Sequence, residues 1–358
     1  MSKWQVSAMA GMSAVAIMLL ASRPAFAEGY ICDDAIPRTE AVALLCNGIA
    51  KQDQGDVDGA IGDVKHALEL QPDLVEAHLI LGIGYYYQHQ YALALAEYDL
   101  YLAAVTDNFH AWSNRAAAYL QTGDLVAARS DIDRALALNP HDVQLLENRI
   151  VIAREADDRL TVIEDCTWLI EHFPPRSKWL LDRGKALGAE SRLAESLADL
   201  QMAVQLEPTA DTYYFRGITQ YFLAQYDAAI ADFTQTLTLQ PDFTLAYLKR
   251  CSALYQLQRY SAALPDCDEF VRQQPDSYDG HYNRGIVRSR AGDQDGALTD
   301  YRLAIELARN PAEKANAWYG VGVASERAGQ KKAAQDAYRR TLEIDSEYRA
   351  ARTALQRL

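Results

Sequence analysis

Six arginines, Arg115, Arg149, Arg183, Arg216, Arg250 and Arg284, recur 33 or 34 residues apart. Each is followed 16 residues later by an aspartate: Asp131, Asp165, Asp199, Asp232, Asp266 and Asp300. Asp63 and Glu97 extend the acidic series upstream. A planar guanidinium matches a carboxylate in a two-pronged pair. Such a series could grip carboxylates of a partner, or it could fasten the protein's own elements. An acid matched to every arginine favours fastening, a structural ladder. Whether each arginine meets the acid that follows it or one that precedes it is open from sequence.

Other reactive side chains give little. The five cysteines are Cys32, Cys46, Cys166, Cys251 and Cys267. None forms a CxxC motif, and no Cys/His spacing suits zinc. Cys32 and Cys46 are placed to tie an N-terminal segment to the first helix, although spacing alone cannot set connectivity. Cys251 and Cys267 read as two packed core thiols in preference to a bridge, and Cys166 as a buried free thiol. The seven histidines are scattered. There is no GxSxG, HExxH, phosphate loop or Rossmann glycine set. No enzyme activity, cofactor or metal is expected.

The elements that carry these residues follow from a repeat. Pro72, Pro140, Pro174, Pro208, Pro241 and Pro275 fall 33 or 34 residues apart, with one double interval. A fixed period of this size means a stacked array. Counting 34 positions with proline at 32, position 8 is small (Gly48, Gly82, Ala116, Gly184, Gly217, Gly285, Gly322), and so is position 20 (Ala60, Ala94, Ala128, Ala229, Ala263, Ala297, Ala334). Two antiparallel helices would pack closely where these small residues face each other. Gly55, Gly123, Gly292 and Gly329 at position 15 would end the first helix, because glycine tolerates a left-handed backbone. The proline stops or redirects the second helix.

His78-Leu-Ile-Leu81-Gly82-Ile-Gly-Tyr85 carries the lead of a known pattern, and Trp112 and Trp318 hold the same aromatic slot elsewhere. On these residues the chain resembles the tetratricopeptide-repeat family. The resemblance covers residues 41–348 and implies an all-α fold, a right-handed superhelical solenoid of antiparallel helix pairs. The repeats read as 41–74, 75–108, 109–142, 143–176, 177–209, 210–243, 244–277, 278–314 and 315–348. The fourth departs most, with Ile150 and Val162 at the small positions, and its helices are expected to be splayed or shifted. Three extra residues around Asn310 and Pro311 read as a longer turn. Residues 349–358 read as a capping helix.

In this family the first helices line the concave face. The resemblance therefore places Asn114, Asn148, Lys178, Lys185, Tyr214, Tyr221, Lys249, Tyr282, Asn283 and Arg290 in a peptide-binding groove. Asparagine suits the amides of an extended peptide. Tyrosines offer contact area at low entropy cost. Lysines within an acidic protein suit an acidic or C-terminal segment.

Lys3, the apolar run from Ala8 to Leu20 and Ala25-Phe26-Ala27 have the layout of a signal peptide over residues 1–27. Residues 28–40 form an N-terminal segment before the repeats. The run is short for a bilayer span, which needs about 20 residues, so no stable membrane insertion is expected after cleavage. The net charge is −14, and the leader contains two bases and no acid. Such a surface repels nucleic acid and anionic lipid. The expectation is an exported, periplasmic or extracellular scaffold that binds a protein or peptide partner, of oligomeric state left open. The alternatives are an accessory subunit of an envelope enzyme or secretion complex, or a self-assembling structural protein.

Overall fold

The structure is a computed structural model that describes Cys32 and residues 39–358. The expected signal peptide, and most of the segment after it, lie outside the described residues. Those described form nineteen α-helices and no strand. They pair as α1 (Glu40–Asp53) with α2 (Val57–Leu70), α3 (Val75–Tyr87) with α4 (Tyr91–Ala104), α5 (Phe109–Thr122) with α6 (Leu125–Leu138), and α7 (Val143–Glu155) with α8 (Arg159–His172). The series continues with α9 (Ser177–Ala189) and α10 (Leu193–Leu206), α11 (Ala210–Phe222) and α12 (Tyr226–Leu239), and α13 (Thr244–Gln256) and α14 (Tyr260–Gln273). It ends with α15 (Tyr278–Ala291) and α16 (Gln294–Leu307), α17 (Pro311–Arg327) and α18 (Lys331–Ile344), and the single helix α19 (Arg349–Arg357). The chain divides into two compact units between Pro175 and Arg176. Pro174-Pro175 sits at that division, where two rigid residues in sequence prevent helix from continuing.

Each turn inside a pair uses the same device. Position 15 is left-handed in all nine pairs: φ is 84° at Gly55 and 81° at Gly123, and also 58° at His89, 54° at Asp157, 62° at Ser191, and 58° at both Ala224 and Gln258. Only four of the nine residues are glycine. The next residue caps the second helix. Where it is aspartate, its carboxylate accepts from the backbone three residues on, as Asp56 does from Gly59 N and Asp124 from Ala127 N, both at 3.0 Å.

Small residues do meet at positions 8 and 20, where a Cβ on Gly48 would lie 3.1 Å from the Ala60 carbonyl oxygen, but a second contact completes the packing rule. The residue at position 8 faces the large side chain at position 24. A Cβ on Gly82 would lie 2.5 Å from the Tyr98 ring, and one on Gly217 2.8 Å from Phe233. Glycine here makes room for a ring, and alanine at position 20 is buried beside it. Burying each such ring is worth about 1.5–3 kcal/mol. The fourth repeat exchanges the sizes, with buried Ile150 at position 8 and buried Cys166 at 24. Its helices, α7 and α8, touch least of the nine pairs.

The three extra residues of the eighth repeat do not make a longer turn. They extend α17 at its start to 17 residues, against 13 or 14 for the other paired helices. Asn310 caps it by accepting from Glu313 N at 2.9 Å, and Pro311 stands in the first turn, where its missing N–H costs nothing. At the C-terminus, Ala351 and Ala354 of α19 bury against Ala334 and Tyr338, with Tyr319 and Tyr348 packed around them.

The seventh pair also departs from expectation. Cys251 and Cys267 are not two thiols: they form a disulfide across positions 8 and 24. Cys32 is bonded to Cys46 of α1. Cys166 is buried and takes part in neither bridge.

Candidate binding groove

The arginine series resolves into one repeated geometry. Arg216 Nε and Nη2 donate to the two carboxylate oxygens of Asp232 at 2.7 and 2.6 Å. Arg115 with Asp131, Arg149 with Asp165, Arg183 with Asp199, Arg250 with Asp266 and Arg284 with Asp300 do the same, at 2.6–3.0 Å. Each arginine thus meets the acid of its own repeat. From Arg115, Arg149, Arg250 and Arg284 the remaining guanidinium nitrogen reaches back one repeat. Arg115 Nη1 donates to Asp99, Arg149 to Asp133, Arg284 to Asp268 and Arg250 to Thr234 Oγ1, at 2.7–3.1 Å. The carboxylates are nearly buried: the Asp232 side chain is 6% exposed and that of Arg216 19%. Hydrogen bonding to Asp232 holds the Arg216 pKa above its ordinary value, against the opposing effect of burial. Where position 7 lacks arginine, the acid finds another base: Lys51 meets Asp63 and His78 meets Glu97, both at 2.7 Å.

The groove candidates separate by burial. In the unit before Pro175, Asn114 and Asn148 are buried. Asn148 Nδ2 donates to Ser113 Oγ at 3.1 Å and its Oδ1 accepts from Gln144 at 3.0 Å. Asn114 Nδ2 is enclosed without an acceptor. In the unit from Arg176 onward, Tyr214 is 1% exposed among Phe215, Phe233 and Phe243, so its ring is core rather than surface. Lys185 lies over the Phe215 ring at 4.4 Å. Lys178 and Arg290 are exposed. Tyr282 stacks on Tyr278 at 5.4 Å, and burial pushes its pKa up to about 12.

Two candidates do come together. Tyr221 on α11 and Asn283 on α15 line a cavity of about 180 Å³, with α13 between them. Tyr255, Ile286 and Val287 add apolar wall, and Cys251 of the disulfide closes its inner side. Ser252 and Gln256 supply polar rim. Gln256 Nε2 donates to Tyr221 OH at 3.3 Å, and Asn283 Nδ2 to the Asp279 carbonyl at 2.7 Å, which leaves their amide oxygens as acceptors. Lys249 stands one turn before Ser252 on the same face of α13. Burial lowers its pKa, while the charge of Asp279 opposes the shift. Among the described residues it has no hydrogen-bond or ion-pair partner. Tyr255, Ser252, Gln256 and Ile286 were not singled out in sequence, although they occupy the same first-helix positions as residues that were.

Comparison with known proteins now has geometry to stand on. A family model described as "Tetratricopeptide repeat" matches residues 47–105, 214–278, 248–313 and 282–349, more than half of the chain, and a second of that description matches 109–142. The chain belongs to the tetratricopeptide-repeat family. TPR relatives include the mitochondrial import receptor subunit TOM70 of Homo sapiens, 27% identical over 176 residues that make up 47% of this chain and 24% of the relative. The Hsp70-Hsp90 organizing protein of Triticum aestivum is 24% identical over 191 residues, 51% of this chain and 32% of that protein. The chain thus spans a quarter to a third of the length of these curated relatives. Among solved structures, YrrB, described as a TPR protein with an unusual peptide-binding site, aligns over 55% of this chain and all of its own, with a TM-score of 0.48 and 21% identity.

Proposed function

We propose that this TPR protein is an exported scaffold that docks a protein or peptide partner on the first helices of its C-terminal unit. The observation that carries the reading is the Tyr221–Tyr255–Asn283 cavity, with Lys249 one turn before its Ser252 along α13. It joins a concave surface of mixed polar and apolar character to unspent amide acceptors and an unpaired cation, the ingredients of a recognition site. Elsewhere the side chains that could do chemistry serve the fold. The ladder arginines hold aspartates, and His281 bonds both Asp300 and the Pro275 carbonyl. The name of the wheat relative describes a protein that organizes two others, which agrees with a scaffold. The leader-like residues 1–27 support export, and so do two disulfides, which persist in oxidising compartments.

Photocrosslinking in the native envelope tests the reading. A benzoylphenylalanine at exposed Gln256 is expected to form a protein adduct, whereas one at exposed Leu239 on the second helix α12 is not. Adducts from Leu239 alone would move the docking surface to the second helices. A mature chain that still carried residues 1–27 in the cytoplasm would overturn export.

A further inference from the structure

The cavity has a cause in the packing rule. In seven repeats a glycine or alanine at position 8 accompanies a large side chain at 24: Val64, Tyr98, Ile132, Leu200, Phe233, Tyr301 and Tyr338. The fourth repeat keeps one large and one small residue with the sizes exchanged. Only the seventh has two small ones, and they are bridged as Cys251–Cys267. The disulfide holds α13 and α14 together without the ring that fills this layer in the neighbouring pairs. Space is left beside Cys251, and that is where the cavity lies.

Its size and lining limit what fits. An apolar cavity of about 150 Å³ takes a benzene ring, and this one measures about 180 Å³. Two tyrosine rings, Ile286, Val287 and the disulfide form its apolar side, and Ser252, Gln256 and Asn283 its polar side; the amide oxygens of Gln256 and Asn283 remain to accept from a peptide backbone. Charge selects what flanks it. Lys249 lies one turn to one side along α13 and exposed Arg290 one turn beyond Ile286 along α15. Neither has an ion-pair partner among the described residues. Asp279 is the acid nearest Lys249 in effect. In a chain of net charge −14 two such cations stand out locally.

We infer that the cavity receives one aromatic or branched aliphatic side chain from an acidic segment of a partner protein, whose neighbouring carboxylate pairs with Lys249. This rests on the first-helix face being the docking surface. The test uses the full mature chain and fluorescein-labelled peptides Ser-Gly-X-Glu-Gly-Ser, where X is Phe, Leu or Ser. Anisotropy is read alongside the Ile286 methyl signal by NMR. The Phe or Leu peptide is expected to bind at least about ten-fold tighter than the Ser peptide and to shift Ile286. Filling the cavity by Ser252→Trp, or from its exposed rim by Gln256→Trp, is expected to erase that preference with the circular dichroism spectrum unchanged. Replacing the peptide's Glu by Gln is expected to weaken binding to the wild type several-fold and to leave Lys249→Gln indifferent. Equal affinity for all three peptides overturns the side-chain assignment and leaves the docking face standing. Saturable binding by none of them overturns both. Binding insensitive to Glu→Gln overturns the role of Lys249.

Discussion

At the scale of single residues, charge is used in two opposed ways. The ladder arginines are partly buried, and each is held by two carboxylate oxygens of its own repeat. Arg115, Arg149, Arg250 and Arg284 also contact the preceding repeat. Deleting one would strand a nearly buried aspartate, at a cost of about 3–5 kcal/mol. Lys249 is the contrary case, largely enclosed and unpaired, with a pKa lowered by burial. Its folded-state pKa lies below its unfolded one, so between the two values the unfolded chain binds more protons. Stability from this site therefore rises with pH up to about 10.5 and is penalised below the folded value. Urea unfolding of wild type and Lys249→Gln from pH 8 to 10.5 is expected to show the variant's relative advantage shrinking as pH rises. Parallel profiles would mean that the ammonium is solvated.

At the scale of elements, the helix pair is built on two positional rules, and only part of each could be read in sequence. The period, the pairing and the recurrence of arginine and aspartate were legible because proline, glycine and charge recur as residue types, whereas which aspartate each arginine meets was not. The size rule at positions 8 and 24 was hidden, because position 24 varies among valine, isoleucine, leucine, phenylalanine, tyrosine and cysteine while its partner is mostly glycine or alanine. From sequence the Cys251–Cys267 bridge ranks second to two packed thiols, because facing positions place two cysteines together without saying whether they are bonded. The left-handed turn was legible at Gly55 and Gly123 but not at His89 or Ala224, where the fold imposes a conformation that the residue type does not advertise. That imposition costs about 1–2 kcal/mol per non-glycine residue, partly offset by the lower unfolded-state entropy of alanine relative to glycine. Ala224→Gly is therefore expected to stabilise the sixth repeat by about 0.5–1 kcal/mol, seen as slower amide exchange across α11 and α12. Faster exchange would show that the turn is not strained at alanine.

At the scale of the whole molecule, the groove candidates drawn from the family resemblance divide by burial. Asn114, Asn148 and Tyr214 are enclosed, while Tyr221 and Asn283 meet at a cavity made by one repeat's exception to the packing rule. Position within a repeat named the first helices but not the cavity, because the cavity depends on what the opposite helix fails to fill. The family and the all-α repeat fold are shared with many proteins, whereas the disulfide-backed cavity and its flanking cations are features of this chain. The central claim is that fastening and recognition reside in separate residues. It is tested most directly by measuring, on the same preparations, thermal stability and affinity for the partner crosslinked through Gln256. Tyr255→Ala is expected to lose at least about ten-fold in affinity with melting nearly unchanged. Arg216→Ala is expected to melt earlier and, while still folded, to bind as the wild type does. The reverse result, with binding abolished by Arg216→Ala at unchanged melting and untouched by Tyr255→Ala, would contradict the account.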